Sequence, residues 1–207
     1  MAFRIVEDYH RQQHFDFFRS YQNPFYAVTV ELDITDLKAF TDAEGYPVYL
    51  NLCYFFTRGM QAVEDFRYRL RDGEIVLFDR LEVAATLPSP DGLFSFGYFG
   101  YDDDCAAFNR RAEEVNAAIR RRTTLAQSDE TNQILYTSLP AVRFTGFTHA
   151  TPEDTTDGRP RVAFGRFFTR DARLMVPVGL EVNHIFIDGN AIGELLEAAQ
   201  SAYDDPS

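Results

Sequence analysis

The chain of 207 residues is 45% hydrophobic and carries a formal charge of -12, so it has enough apolar material for a sizeable core and the wrong sign of charge for a nucleic-acid partner, whose phosphates need a basic surface. Its 15% aromatic share comes from 20 Phe and 11 Tyr with no Trp, which points to an apolar core, an apolar pocket or a large subunit interface. The N-terminus lacks the apolar core of a signal peptide and no run approaches the roughly 18 apolar residues of a membrane span, so a soluble cytoplasmic protein with no membrane partner is expected.

In chain order, residues 26–34 alternate and are β-branched, which predicts a strand, and residues 35–40 predict a short capped helix. After Pro47, the recurrence of Leu52, Phe55, Phe56, Gly59, Met60 and Val63 predicts a long buried helix that continues to Phe66. Cys53 in that run reads as a small buried hydrophobe. With Cys105 it forms no disulfide framework and no metal-binding pair. Residues 66–70 and 75–78 flank Asp72-Gly73, a strong hairpin signal. Short strands are expected at 83–86 and 93–98, and an amphipathic helix over 105–122. Strands follow at 133–137 and 141–147, then a polar loop over 149–159. Two more strands, 162–168 and 174–183, surround a turn at 169–173. A final helix over 190–203 places Ile192, Leu195, Leu196 and Ala199 on one face. With no repeat and no long linker, the order predicts one α/β domain over residues 1–207 with a mainly antiparallel or mixed sheet.

The stretch Val182-Asn183-His184-Ile185-Phe186-Ile187-Asp188-Gly189 carries the most chemistry. His184 ends a β-branched strand, and histidine moves protons near neutral pH. Asp188 stands at a helix start, where a carboxylate accepts backbone N–H bonds and favours the helix dipole. Such a corner holds an imidazole rigidly beside a cleft. By spacing alone a structural, hydrogen-bonded histidine is the commoner outcome.

Residues 176–189 resemble the C-terminal signature of chloramphenicol acetyltransferases, L-P-L-x-x-x-V-H-H-x-x-x-D-G followed by a helix. The bare H-x-x-x-D-G element is shared with dihydrolipoamide-type acyltransferase cores and condensation domains. Residues 9–19 are similar to the family's N-terminal W-x-R-x-x-H-F-x-x-[FY], residues 66–79 to its central hairpin, and residues 137–147 to its S-x-x-P-W-x-x-F-x-S-F strand. The resemblance implies a two-layer α/β sandwich with a mixed sheet. It also implies a homotrimer with each active site at a subunit boundary, and acetyl-CoA as co-substrate for O-acetylation of chloramphenicol or another small alcohol, without a metal. His184 then matches the general base that deprotonates the acceptor hydroxyl. Asp188 matches a structural carboxylate paired with Arg11, which taken alone reads as a solvated surface charge. Thr137 falls where the family places a Ser that donates to the tetrahedral oxyanion; taken alone it reads equally as an ordinary strand Thr.

The departures bear on the substrate. Asn183 replaces the first His of the usual pair, Ala141 stands where the family has a Trp near the cofactor, and Ala163 where it has a Thr. In the acceptor pocket, Phe17, Phe18, Tyr26 and Phe94 keep aromatic character, but Phe18 lacks the usual hydroxyl. Gln22 is polar where an apolar residue is usual, and Phe96 is bulky where a small one is usual, a change that excludes ligands by overpacking. These positions leave the acceptor and the acyl chain open, and they also fit a non-enzymatic binding protein on the same scaffold. Arg166 is the candidate CoA contact. Arg120, Arg121 and Arg122 read first as a solvated helix end, and Asp102, Asp103 and Asp104 as an acidic helix start. His10, His14 and His149 have no metal-ligand spacing, and Gly97-Tyr98-Phe99-Gly100 matches no phosphate loop.

Overall fold

The computed structural model describes residues 2–121, 125 and 128–206. The elements run β1 (Phe3–Ile5), α1 (Gln12–Phe18), β2 (Phe25–Asp33), α2 (Thr35–Glu44), α3 (Val48–Ala62), a 3₁₀ turn (Glu64–Arg67), β3 (Tyr68–Arg71), β4 (Glu74–Phe78), β5 (Glu82–Pro88), β6 (Phe94–Phe99), α4 (Cys105–Ile119), β7 (Gln133–Leu139), β8 (Arg161–Gly165), β9 (Phe168–Arg170), β10 (Arg173–Asn183) and α5 (Gly189–Asp204). The large sheet has the order β2-β10-β8-β7-β5-β6, with β9 folded back on β10. β7 is parallel to β5 and β8, and the other pairs are antiparallel, so the sheet is mixed. The expected hairpin forms at Asp72 and Gly73, with φ of 53° and 86°, and joins β1 in a separate three-stranded sheet.

Alternation divides the large sheet into two faces. Val162, Phe164, Val176, Val178, Leu180, Ile134 and Tyr136 belong to the main core with the buried residues of α3 and α5. Phe56 of α3 packs edge-on against both Tyr136 and Phe164. α3 and α5 approach so closely that a Cβ at Gly59 would lie 2.7 Å from the Ala199 amide nitrogen. Only glycine fits there.

The opposite face holds Ala163, Gly165, Gly179 and Thr137, and residues 142–149 roof its β8 and β10 part. The sequence predicts a strand at 141–147, and the structure has none. β7 is already paired on both sides by β5 and β8, so this segment has no free edge of β7 to fold back on. Its two aromatics, three residues apart, both lie across the sheet instead: Phe147 is the nearest neighbour of Gly179, and Phe144 of Gly165 along with Pro177. The turn predicted at 169–173 is tighter than expected, because Thr169 and Arg170 remain in β9 and only Asp171 and Ala172 take positive φ, 49° and 64°. The long helix stops at Ala62 rather than Phe66. Val63 is extended (φ -104°, ψ 109°), and the chain restarts as the 3₁₀ turn that carries Asp65. The α4 helix is described to Ile119, and Arg122 lies outside the described residues. Among the described residues no helix is long and apolar enough to cross a membrane.

His149 anchors this roof. Its backbone N–H donates to Glu181 Oε2 at 3.1 Å, and its ring stands edge-on to Phe147 at 4.7 Å. Burial, reinforced by the nearby Arg161 charge, pulls its pKa down to about 4. The folded protein therefore keeps this imidazole neutral, whereas the unfolded chain takes up a proton below its ordinary pKa of about 6.5. Its stabilising contribution is complete above that value and is lost as pH falls toward about 4, by at most about 3 kcal/mol. Urea unfolding across this interval should show the decline in the wild type and a flatter profile in His149→Gln. An identical decline in the variant would remove His149 as its source.

Candidate active site

β10 is paired on one side by β2 and on the other by β8, so its C-terminal end is fixed in both directions of the sheet. Asn183 closes it. Its Nδ2 donates to the carbonyls of Thr155 (2.8 Å) and Asp157 (3.2 Å), while its Oδ1 accepts from the Ile185 N–H at 3.1 Å. Its own carbonyl accepts from Phe186 (3.1 Å) and Ile187 (3.0 Å), and the His184 N–H donates to the Pro24 carbonyl at 2.9 Å. His184 thus sits on a tight turn in which the N–H groups of residues 184–187 all have acceptors.

The half-buried imidazole lies parallel to the Phe18 ring, with centroids 4.0 Å apart and planes 13° from one another. Tyr26 flanks it at 4.7 Å. The Tyr26 hydroxyl donates to the Ile187 carbonyl at 3.4 Å. Burial and the charge of Asp188 push its pKa up to about 12, so it stays a neutral donor. Nδ1 of His184 is shut away from solvent without a hydrogen-bond partner among the described residues. Nε2 is the nitrogen left for an incoming group.

Asp188 holds the other side of the turn. Its Oδ1 accepts from the N–H groups of Asn190 (2.9 Å) and Ala191 (3.1 Å), capping α5. Its Oδ2 accepts from Arg11 Nη1 at 2.6 Å. Burial opposes ionisation of this carboxyl, but the Ala191 N–H, Arg11 and the Asn190 N–H together hold its pKa below the usual carboxylate range. Arg11 is only 8% exposed, a poor location for an unpaired charge. A second carboxylate, Asp65, stands 3.5 Å from its Nη1, with His10 Nε2 on the far side at 3.5 Å. Burial raises the pKa of Asp65, and Arg11 works against that rise.

The structure brings His184, Phe18, Tyr26, Asp188 and Arg11 together, with Phe17 and Gln22 exposed on the adjoining α1–β2 segment. It does not bring Thr137 to them. Thr137 pairs with Ala163, and Ala163 with Gly179, which places Thr137 two strands across and five residues down the strand from His184. At about 4.8 Å per strand and 3.3 Å per residue the two lie roughly 19 Å apart. Phe96 pairs with Thr86 and Phe94 with Pro88 on the outer strand β6, beyond Thr137. Ala141 and Arg166 are exposed near the ends of β7 and β8. A cavity of about 720 Å³ lies between the α2–α3 turn and α4 and is lined by Tyr46, Asn109, Arg110, Arg120 and Arg121. None of the residues around His184 borders it. Arg120 and Arg121 thus face a cleft remote from the histidine.

Two further residues escape a reading of the sequence. Asp65 reaches Arg11 only because the helix breaks at Val63, and Thr86 meets Thr137 only through strand register. Strand alternation does put Thr86 on the face opposite the core, which was a usable signal. Asn183, read as a departure, clamps the turn before the histidine.

A family model described as chloramphenicol acetyltransferase matches residues 1–200. The chain is 25% identical over 202 residues to a chloramphenicol acetyltransferase of Escherichia coli, covering 97% of this chain and 92% of that one. It is 28% identical over 206 residues to one of Streptomyces acrimycini, covering 98% and 94%. A solved chloramphenicol acetyltransferase superposes with a TM-score of 0.90 at 25% identity, over 97% of this chain and 99% of that one. The cubic core of a pyruvate dehydrogenase multienzyme complex shares the fold alone, with a TM-score of 0.69 at 17% identity, over 98% and 92%.

Asp188→Ala removes two cap bonds and the shorter of Arg11's two carboxylate contacts. It should lower unfolding stability by about 2 kcal/mol, whereas Asp188→Asn, which keeps the capping oxygen, should lose less. Urea denaturation of both variants at pH 7 tests this ordering. An Asp188→Ala protein as stable as the wild type would contradict it.

Proposed function

This chain belongs to the chloramphenicol acetyltransferase family, and from that premise we propose that it transfers the acetyl group of acetyl-CoA to a hydroxyl of chloramphenicol or a similar small alcohol, with His184 as the base. The observation that carries this reading is the His184 corner, held on all sides within a chain that the family model matches over residues 1–200.

In the proposed reaction, Nε2 of His184 accepts the proton of the acceptor hydroxyl. The hydroxyl oxygen attacks the thioester carbonyl carbon, and the carbonyl oxygen becomes an oxyanion that accepts a hydrogen bond from Thr137. Collapse breaks the carbon–sulfur bond, and the leaving thiolate takes the proton back from the imidazolium. The products are the acetyl ester and free CoA. Phe18 and Tyr26 hold the ring, and Arg11 acts through Asp188 to keep the turn behind it in place.

A separation of roughly 19 Å between His184 and Thr137 in one chain supports a site assembled between copies, in which the histidine of one subunit faces the threonine of the next. We take the assembly to be a homotrimer of single-domain chains of residues 1–207 in the cytoplasm, without nucleic-acid or membrane partners and without a metal. Phe94 and Phe96 then line the acceptor side beside Thr137, with Phe17, Phe18, Gln22 and Tyr26 on the histidine side. Phe96 narrows the acceptor pocket and sets which alcohols enter. Arg166, whose side chain is exposed, is the proposed contact for CoA phosphates, and the small Ala141 leaves that route open.

Two inactive variants test both the chemistry and its location. His184→Ala should abolish CoA release with chloramphenicol or any productive alcohol of an acceptor panel, and Thr137→Ala should reduce kcat by about 100-fold. Refolding an equal mixture of the two should restore activity, because about a quarter of boundaries in a randomly mixed ring then hold both native residues. A mixture no more active than its components would place the two residues in the same subunit's site. Unchanged turnover in His184→Ala would sink the assignment of the base.

A further inference from the structure

Thr86 lies between Ala85 and Leu87, whose side chains join the main core. Its own side chain therefore points to the opposite face. Ala85 pairs with Tyr136 in the parallel register of β5 and β7, so Thr86 stands beside Thr137. Their Oγ1 atoms are 3.2 Å apart, and either is able to donate. The flanking strands offer Phe96 on one side and Ala163 on the other, neither of which carries a polar side chain. The buried hydroxyl of Tyr49 is close enough to Thr86 to influence ionisation, although it makes no hydrogen bond of good geometry.

Two hydroxyls bring two hydrogens, and their mutual bond uses one. If Thr137 donates to Thr86, its hydrogen is spent and it has nothing to offer an oxyanion. If Thr86 donates to Thr137, the Thr137 hydrogen is free, and its oxygen, already accepting a bond, is the more polarised donor. Negative charge growing on a carbonyl oxygen next to Thr137 favours the second arrangement. We propose that Thr86 is a positioning residue for the acetyl transfer, its hydroxyl donating to Thr137 Oγ1 so that Thr137 directs its own hydrogen at the thioester oxyanion. This inference rests on the reading of Thr137 as the oxyanion donor. Thr86 touches neither substrate nor acetyl group and acts only through Thr137.

Thr86→Val keeps the shape and the β-branching suited to a strand and deletes only the hydroxyl. With acetyl-CoA and a productive acceptor, kcat should fall about tenfold, while both KM values stay within about twofold of the wild type and Thr86→Ser retains most of the rate. In a Thr137→Ala background the same substitution should cost nothing further, since the residue it acts through is gone. A Thr86→Val enzyme as fast as the wild type overturns the proposal. So does an equal loss with and without Thr137, or a loss confined to KM or accompanied by a large drop in Tm. A wild type that releases no CoA with any acceptor overturns the acyltransferase reading and this inference with it, whereas an active wild type and an unaffected Thr86→Val overturn this inference alone.

Discussion

The geometry around His184 depends on one carboxylate with two obligations. Asp188 caps α5 through one oxygen and accepts from Arg11 through the other, which joins the start of the last helix to the N-terminal segment before α1. Because α1 also carries Phe18, the ring that lies flat on the imidazole, the same ion pair fixes both the turn behind the histidine and the aromatic wall in front of it. An exposed Arg–Asp pair would contribute little. Here the guanidinium is nearly fully buried, and an unpaired charge in that place is expensive enough to keep the contact closed. The arrangement uses electrostatics to set a position more than to gain stability.

The second constraint is the placement of small residues on the face of the sheet away from the helices. Gly165, Gly179 and Ala163 allow residues 142–149 to lie close over β8 and β10, with Phe144 and Phe147 filling the space that side chains would take. The crossover from β7 to β8 is thereby occupied as a roof, and Thr137, half-buried, meets Thr86 on the same face of the sheet. The histidine and the proposed oxyanion donor end on different regions of one surface. On the proposed reading, in which both belong to one site, the two halves meet only where copies of the chain associate.

Much of the fold was legible because hydrophobic periodicity and turn chemistry are local. The Asp72-Gly73 hairpin, the alternating strand that became β10 and the apolar stripe of α5 all follow from neighbours in sequence. The misread strand at 141–147 is apolar and aromatic enough for one, but β7, which it follows, is already paired on both sides, and that is a property of the whole sheet. The overrun of α3 has the same origin: Phe66 continues the apolar period, yet the helix ends at Val63 and still buries that ring. Within the site, His184 and Asp188 stand out through the likeness of residues 176–189 to the family signature, since spacing alone favours a structural histidine. Asp65 and Thr86 do not, since each acquires its partner only through tertiary register.

Asn183 shows why replacing one member of a motif need not disturb the other. An imidazole at that position offers one donor and one acceptor in its neutral form, whereas an amide offers two donors and a carbonyl oxygen. Asn183 uses both of its ends: it donates to the carbonyls of Thr155 and Asp157 and accepts from Ile185. The segment it grips is itself held by the buried contact of Asp157 with Arg161 at 2.6 Å and by the bond of Asp157 with Arg159 at 2.9 Å. Buried ion pairs of this kind add little net stability, because desolvation offsets the attraction. What this cluster fixes is where the two carbonyls lie, and through Asn183 it fixes the direction in which β10 delivers its histidine. The orientation of His184 is thus determined from both sides of the turn, by Asp188 and Arg11 after it and by Asn183 and Asp157 before it.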